Sequence, residues 1–167
     1  GDAAFNEGYK NLWNWLIRKD SLEITVPVEE AGSGIESVDY ELIPEDGSTT
    51  AGRASVKKAS GEKSAGYTAA IYINPDFKGK IKIAAKDHAG NISDTKMIGT
   101  DGSGIHGIIV EDHAPEITFS VNGSESPAEE YEKAPTVVVT VKDDKENVIS
   151  AGLASVAYQI GNSAEHV

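Results

Sequence analysis

Ser33-Gly34-Ile35-Glu36-Ser37-Val38-Asp39-Tyr40-Glu41-Leu42 recurs late in the chain as Ala151-Gly152-Leu153-Ala154-Ser155-Val156-Ala157-Tyr158-Gln159-Ile160. Both segments follow the pattern small, Gly, aliphatic, any, Ser, Val, any, Tyr, any, aliphatic. A recurrence of this kind means that one structural unit is encoded twice. A β-branched run precedes each copy, Leu22 to Val28 in the first and Thr136 to Val141 in the second. The second run reaches its copy by a longer connection, through Asp143-Asp144-Lys145-Glu146-Asn147.

Around this stretch the apolar residues alternate with period two, which places them on one face of a strand. Leu22, Ile24, Val26 and Val28 share a parity, as do Val38, Tyr40 and Leu42. Tyr67, Ala69, Ile71 and Ile73 repeat the pattern, and so do Ile81, Ile83 and Ala85. Further strands are expected over Arg53–Lys58, Ile92–Ile98 and Ile105–Val110. Turn chemistry separates them, at Glu45-Asp46-Gly47-Ser48, Asn74-Pro75-Asp76 and Ala89-Gly90-Asn91. About seven short strands without an intervening amphipathic helix predict an all-β, antiparallel sandwich rather than a βαβ fold. The N-terminus breaks the rule, since Tyr9, Leu12, Trp13, Leu16 and Ile17 fall at helical spacing. The expectation for residues 1–20 is a first strand near Ala3–Phe5, then a turn or short helix carrying Trp13 and Trp15 against the end of the sandwich.

Composition narrows the function. The chain has 167 residues, 39% of them hydrophobic and 25% charged, which is a globular composition. Its net charge of -12 argues against nucleic acid and anionic membrane surfaces, because both need a lysine and arginine footprint. There is no cysteine, which removes disulfides, thiolate zinc sites and cysteine nucleophiles together. No apolar run approaches the length of a membrane span, so no membrane insertion is expected of these residues. Gly1 reads as a cleavage scar, so the natural precursor's targeting signal stays open.

Two further stretches carry a family resemblance. Gly79-Lys80-Ile81-Lys82-Ile83-Ala84-Ala85-Lys86-Asp87-His88-Ala89-Gly90-Asn91-Ile92-Ser93 resembles the late strand of bacterial Ig-like (Big-type) repeats, which ends in a D-x-A-G-N-x-S turn. Gly107-Ile108-Ile109-Val110-Glu111-Asp112-His113-Ala114-Pro115-Glu116-Ile117 looks like the junction between such modules. The resemblance implies an immunoglobulin-like sandwich in tandem, with one complete module at 1–113 and a partial second at 114–167. The second copy stops at Val167, soon after its third strand, which predicts a truncated fragment or a natural chain that continues. The resemblance also implies a secreted or wall-attached bacterial protein, extracellular and non-catalytic, in which modules serve as stalks, spacers or adhesive units. Its partners would be neighbouring modules of the same polypeptide, and a host surface protein or glycan.

Catalytic signals are sparse. His88, His106, His113 and His166 form no zinc-type pair, and neither a G-x-S-x-G elbow nor a phosphate-binding Gly-rich loop occurs. Gly102-Ser103-Gly104 reads as a turn or bulge, and Glu29-Glu30 and Asp143-Asp144 as solvated loop acids rather than an acid–base pair. Two binding sites are candidates. Asp87, Asn91, Asp94 and Asp112 could supply oxygens to Ca2+ near the module junction, since a hard cation takes six to eight such ligands. The competing reading is a self-bonded turn in which Gly90 takes a positive φ and the carboxylate accepts backbone N–H groups. Trp13 and Trp15 would share a face on a strand and form a sugar-stacking platform, as in a carbohydrate-binding or accessory module of a larger extracellular enzyme. Against that stands ordinary packing of both rings. A Lys–Asn or Lys–Asp crosslink is a third class, for which no pair is singled out.

Overall fold

A computed structural model describes residues 3–5, 8–12, 15–58, 66–99, 105–143, 149–161, 163–164 and 166. The described residues contain strands and no helix, and the chain divides into two compact units, Gly1–Asp112 and His113–Val167. Unit 1 holds β1 (Ala4–Phe5), β2 (Lys10–Leu12), β3 (Trp15–Arg18), β4 (Leu22–Glu29), β5 (Ile35–Pro44) and β6 (Thr50–Arg53). It continues with β7 (Ser55–Lys58), β8 (Gly66–Ile73), β9 (Phe77–Asp87), β10 (Lys96–Ile98) and β11 (Gly107–Val110). Unit 2 holds β12 (Glu116–Val121) and β13 (Val137–Lys142).

Alternation builds the core of unit 1. Leu22 and Ile24 of β4 and Ala69, Ile71 and Ile73 of β8 are buried, as the period-two reading requires. They join one cluster with Val38 of β5, Ile81 and Ile83 of β9, Leu16 of β3 and Ile108 and Val110 of β11. Two sheets thus form a sandwich-like arrangement around an aliphatic core. One has the order β1-β4-β8-β7, the other β2-β3-β11-β9-β5-β6, and every pairing is antiparallel except β3 with β11. Pro27 sits within β4, opposite Thr68 of β8. Proline has no N–H to give to a ladder, and the described register of β1 along β4 stops at Thr25, short of Pro27.

Three expectations need correction. The expected strand Arg53–Lys58 is two strands in different sheets: β6 pairs with β5, and β7 with β8. The chain crosses at Ala54, which is buried and donates its N–H to the Val38 carbonyl at 2.8 Å. The expected strand Ile92–Ile98 begins only at Lys96, and Ile92 makes an isolated bridge to Lys86 with its side chain exposed. Where a turn or short helix was expected to carry Trp13 and Trp15, the described residues are strands, and Trp13 lies outside them. β2 and β3 form an antiparallel pair, and β3 runs parallel to β11, Trp15 opposite Gly107 and Arg18 opposite Val110. Helical spacing in so short a stretch carries little weight against four ladder positions offered by an open sheet edge.

β10 and β11 lie along the same edge of β9, Ile98 opposite Ile81 and Ile108 opposite Gly79. Gly99, at φ +94, turns the chain out of this edge, and a Cβ there would come 3.1 Å from the Gly107 α-carbon. Gly99 and Gly107 therefore lie side by side. Gly102-Ser103-Gly104 lies outside the described residues.

Unit 2 is thinner. β12 and β13 pair antiparallel, with Ile117 opposite Val141, Phe119 opposite Val139 and Val121 opposite Val137. The recurring segment Ala151–Ile160 forms no strand there, only a bridge from Tyr158 to His166.

Candidate functional site

The two sequence signatures of unit 1, the Ser-Gly start of the recurring segment and the D-x-A-G-N turn, meet at one end of the sandwich. Ile35 is the ladder partner of Asp87, and the register slips by one residue between Ile35 and Ser37, a bulge at the start of β5. Gly34 takes φ +84, a conformation that costs glycine little. Its carbonyl accepts the His88 N–H at 3.0 Å, and Ser33 Oγ accepts the Ala89 N–H at 3.2 Å. The turn closes on itself as well. Asp87 Oδ1 accepts the Asn91 N–H at 2.8 Å, and Oδ2 accepts Asn91 Nδ2 at 2.8 Å. The Asp87 N–H reaches the Asn91 carbonyl, and Gly90, at φ +92, donates to the Asp87 carbonyl.

These donors act on the carboxylate. Asp87 is largely buried, and the Asn91 side-chain amide, helped by the Asn91 N–H, holds its pKa below the usual carboxylate range against the cost of burial. Asp39 is lowered as well. The Arg53 guanidinium bonds to it at 2.8 Å, and Ser37 Oγ donates at 2.8 Å.

The proposed calcium ligands do not converge. Asp87 and Asn91 are joined, but both carboxylate oxygens already accept hydrogen bonds from Asn91. Asp94 follows Ser93, whose N–H bonds the Ala85 carbonyl, so it lies near the same end. Asp112 comes two residues after Val110, the partner of Phe77 at the other end of β9. Ten residues of strand separate Phe77 from Asp87, or about 30 Å. Among the described residues no group of three or more His, Cys, Asp or Glu is arranged to hold a metal ion. The donor set does not fit a calcium ion that needs six or more oxygens.

Trp13 lies outside the described residues. Trp15 is half-buried on β3, and the Lys78 ammonium sits 5.4 Å from its ring centroid. A Cβ at Gly107 would come 3.0 Å from Trp15 Cε3, so the ring lies against this glycine. Lys78 also pairs with Glu45 at 3.1 Å. A sugar stacking on that side of the ring would have to displace an ammonium held by a carboxylate.

Two of the loop acids are held by their own loops. Glu30 Oε1 accepts the Gly32 N–H, and Asp143 Oδ2 accepts Ser150 Oγ at 2.6 Å and the Gly152 N–H at 2.9 Å. Asp144 lies outside the described residues. On the outer face of β5 and β9, Glu41 pairs with Lys82 at 3.2 Å and Glu36 with Lys86 at 2.9 Å. An open cleft there is lined by Asp39, Tyr40, Gly52, Arg53, Lys82 and Thr95. Its charges are already paired across the sheet, Asp39 with Arg53 and Glu41 with Lys82. Such exposed pairs contribute little to stability, because water screens them. This ladder escaped the sequence reading, although part of its signal was present: Asp39 and Glu41 of β5 and Lys82 and Lys86 of β9 occupy the parity opposite the aliphatic residues, whereas Glu36 shares the parity of Val38 and joins them through the bulge at the start of β5.

The chain matches no protein-family model, no curated protein and no solved structure.

Proposed function

We propose that this chain is a non-catalytic structural piece, a spacer or adhesive unit built from immunoglobulin-like modules, of a bacterial cell-surface or secreted protein. One observation carries the reading. Over its two paired positions β1 runs along β4 from Thr25 to Ile24, toward Leu22, and β11 runs toward Phe77 and Arg18, at that same Leu22 end. The first and last strands of the unit therefore run in the same direction, which suits modules strung in line.

The strand order supports the immunoglobulin-like assignment. β1-β4-β8-β7 corresponds to the A-B-E-D sheet of that plan, and β11-β9-β5-β6 to G-F-C with the added C′ strand. The crossing at Ala54 then falls between C′ and D. The secreted or wall-attached setting, and a bacterial source, rest on the resemblance of the D-x-A-G-N turn and the Ala-Pro junction alone.

Geometry also suits a force-resisting role. Tension through the chain ends pulls the parallel strands β3 and β11 in opposite directions along their length. The four paired positions from Trp15–Gly107 to Arg18–Val110 are then loaded together. Single-molecule pulling from residues 1 and 167 tests this. The comparison attaches the handles through Asp46→Cys and Thr49→Cys, flanking the turn that joins β5 to β6, so that this pair unzips from its turn. The natural absence of cysteine makes that attachment specific. Unit 1 should yield at a distinctly higher force when pulled from its ends. Equal forces in both geometries would refute the force-resisting role.

A further inference from the structure

We propose that Asn122 is a self-modifying site. Its side-chain amide is held across the neck of the β12–β13 hairpin, and when that hold opens the amide is exchanged for an aspartyl or isoaspartyl linkage. The inference concerns unit 2 alone and does not depend on the role proposed for unit 1.

Asn122 is the one asparagine in the chain that is followed by glycine. With Gly123 it forms the centre of a tight turn. The Ser124 N–H donates to the Val121 carbonyl at 3.0 Å, and the Val121 N–H to the Ser124 carbonyl at 2.8 Å. Both central residues take positive φ, +50 at Asn122 and +82 at Gly123, as a type I′ turn demands. Asn122 also stands opposite Thr136, one step beyond the Val121–Val137 pair. Two residues so placed in an antiparallel ladder ordinarily exchange both main-chain bonds. Here the Asn122 N–H reaches the Thr136 carbonyl at 2.8 Å, but the Thr136 N–H is taken by Asn122 Oδ1, at 2.9 Å. A side-chain oxygen stands in for the main-chain carbonyl, and the amide is pinned to the far strand.

The glycine that permits this turn also threatens the amide. The Gly123 nitrogen, giving up its proton to hydroxide, attacks Asn122 Cγ and closes a cyclic imide. The N–Cγ bond forms, the Cγ–Nδ2 bond breaks, and Nδ2 leaves as ammonia with a proton taken from water. Water then opens the imide at either carbonyl, giving aspartate or an isoaspartyl link in which the chain runs through Cβ and Cγ. In sum a water is consumed and an ammonia released, with no change of oxidation state. Attack requires Cγ within bonding approach of the Gly123 nitrogen, and a side chain bound across the neck is not free to swing there. Gly123 adds no steric defence, since even a Cβ built on it would meet nothing within 4 Å. Reactivity is therefore set by the hold on Oδ1, and it follows the fraction of time the neck is open. Asn91 supplies the contrast: β-branched Ile92 follows it, and its N–H and Nδ2 both donate to Asp87, at 2.8 Å each. The two products differ at the neck. Aspartate keeps an oxygen for the Thr136 N–H, whereas the isoaspartyl link lengthens the main chain inside a turn that fits only two residues.

The test incubates the 1–167 chain in mildly alkaline buffer, folded and in denaturing guanidinium chloride, and follows amide-to-acid exchange at each asparagine by peptide mass spectrometry. In denaturant Asn122 should react before every other asparagine, and at least about tenfold faster than in the folded chain. Thr136→Pro removes the N–H that holds Oδ1, at a position just before a strand where proline is tolerated. It should raise the folded-state rate about fivefold, the weight of one such hydrogen bond on the opening equilibrium. Hydrogen exchange at Phe119 and Val139 reports whether the hairpin survives in this variant; where it does not, the denaturant comparison decides. Among the separated products, the Thr136 amide should stay protected in the aspartyl form and in Asn122→Asp, and lose its protection in the isoaspartyl form. Equal rates in folded and denatured chain would overturn the proposal. So would another asparagine reacting first in denaturant, or an unchanged rate in a folded Thr136→Pro.

Discussion

Val38 and Val156 hold the same place in the recurring segment, yet Val38 is fully buried and Val156 is 41% exposed. Truncating each to alanine separates what the local sequence contributes from what the surroundings contribute. Val38→Ala removes two carbon groups from the core, about 1.6 kcal/mol at roughly 0.8 kcal/mol per group. The void left behind adds about 1 kcal/mol, because a packed sandwich collapses only partly around it. The expected cost is about 2.5 kcal/mol. With a urea dependence of about 1.5 kcal/mol per molar, the midpoint of unit 1 falls by about 1.7 M. Val156→Ala touches a solvated side chain, and its effect should stay within about 0.5 kcal/mol. Both tryptophans belong to unit 1, so their fluorescence follows that unit, while far-UV circular dichroism follows the whole chain. Equal losses at the two positions, or a shift below about 0.5 M for Val38→Ala, would refute the assignment of burial.

Two other perturbations probe the frame of unit 1. A Cβ at Gly79 would come 2.7 Å from the Pro44 α-carbon, against backbone that cannot swing aside; Gly79→Ala should therefore cost at least about 2 kcal/mol in urea unfolding. Gly90→Ala meets no atom within 4 Å and bears only its positive φ, about 1 kcal/mol; a larger loss at 90 than at 79 would overturn this ordering. Asp87 and Asp39 have folded pKa values below the unfolded carboxylate value near 3.8. The unfolded chain then takes up protons first as the pH falls. Their stabilisation is present above about pH 4 and is lost on acidification through the lowered folded values. Melting temperature should fall across that window, and Asp87→Ala should lower it at pH 7 while flattening the acid limb. An acid limb of unchanged steepness in Asp87→Ala would remove Asp87 from the account.

Much of the frame is legible residue by residue. The alternation in Leu22–Val28, Tyr67–Ile73 and Ile81–Ala85 states which side chains point inward, because the pleat has a fixed period of two. Gly90 and Asn91 announce a turn because glycine accepts the left-handed conformation, and a carboxylate four residues before Asn91 is placed to close it. What was hidden is long-range. Nothing local in Arg53-Ala54-Ser55 says that the chain changes sheets there. Asp112 is near Asp94 in sequence, yet the length of β9 separates it from Asp87, so an apparent cluster of oxygens dissolves.

The recurring segment marks the boundary most clearly. By itself the sequence determined the Ser-Gly or Ala-Gly turn: Gly34 and Gly152 adopt nearly the same φ in both settings. It also determined which side chains would face inward if a strand formed. Whether the strand forms was decided by tertiary structure. A single extended segment leaves its backbone N–H and C=O groups facing water and gains no ladder, so it holds only where a neighbour completes it. Ile35–Pro44 has β9 on one side and β6 on the other, and becomes the centre of a sheet. Among the described residues Ala151–Ile160 has neither, and the same pattern of residues lies open to solvent.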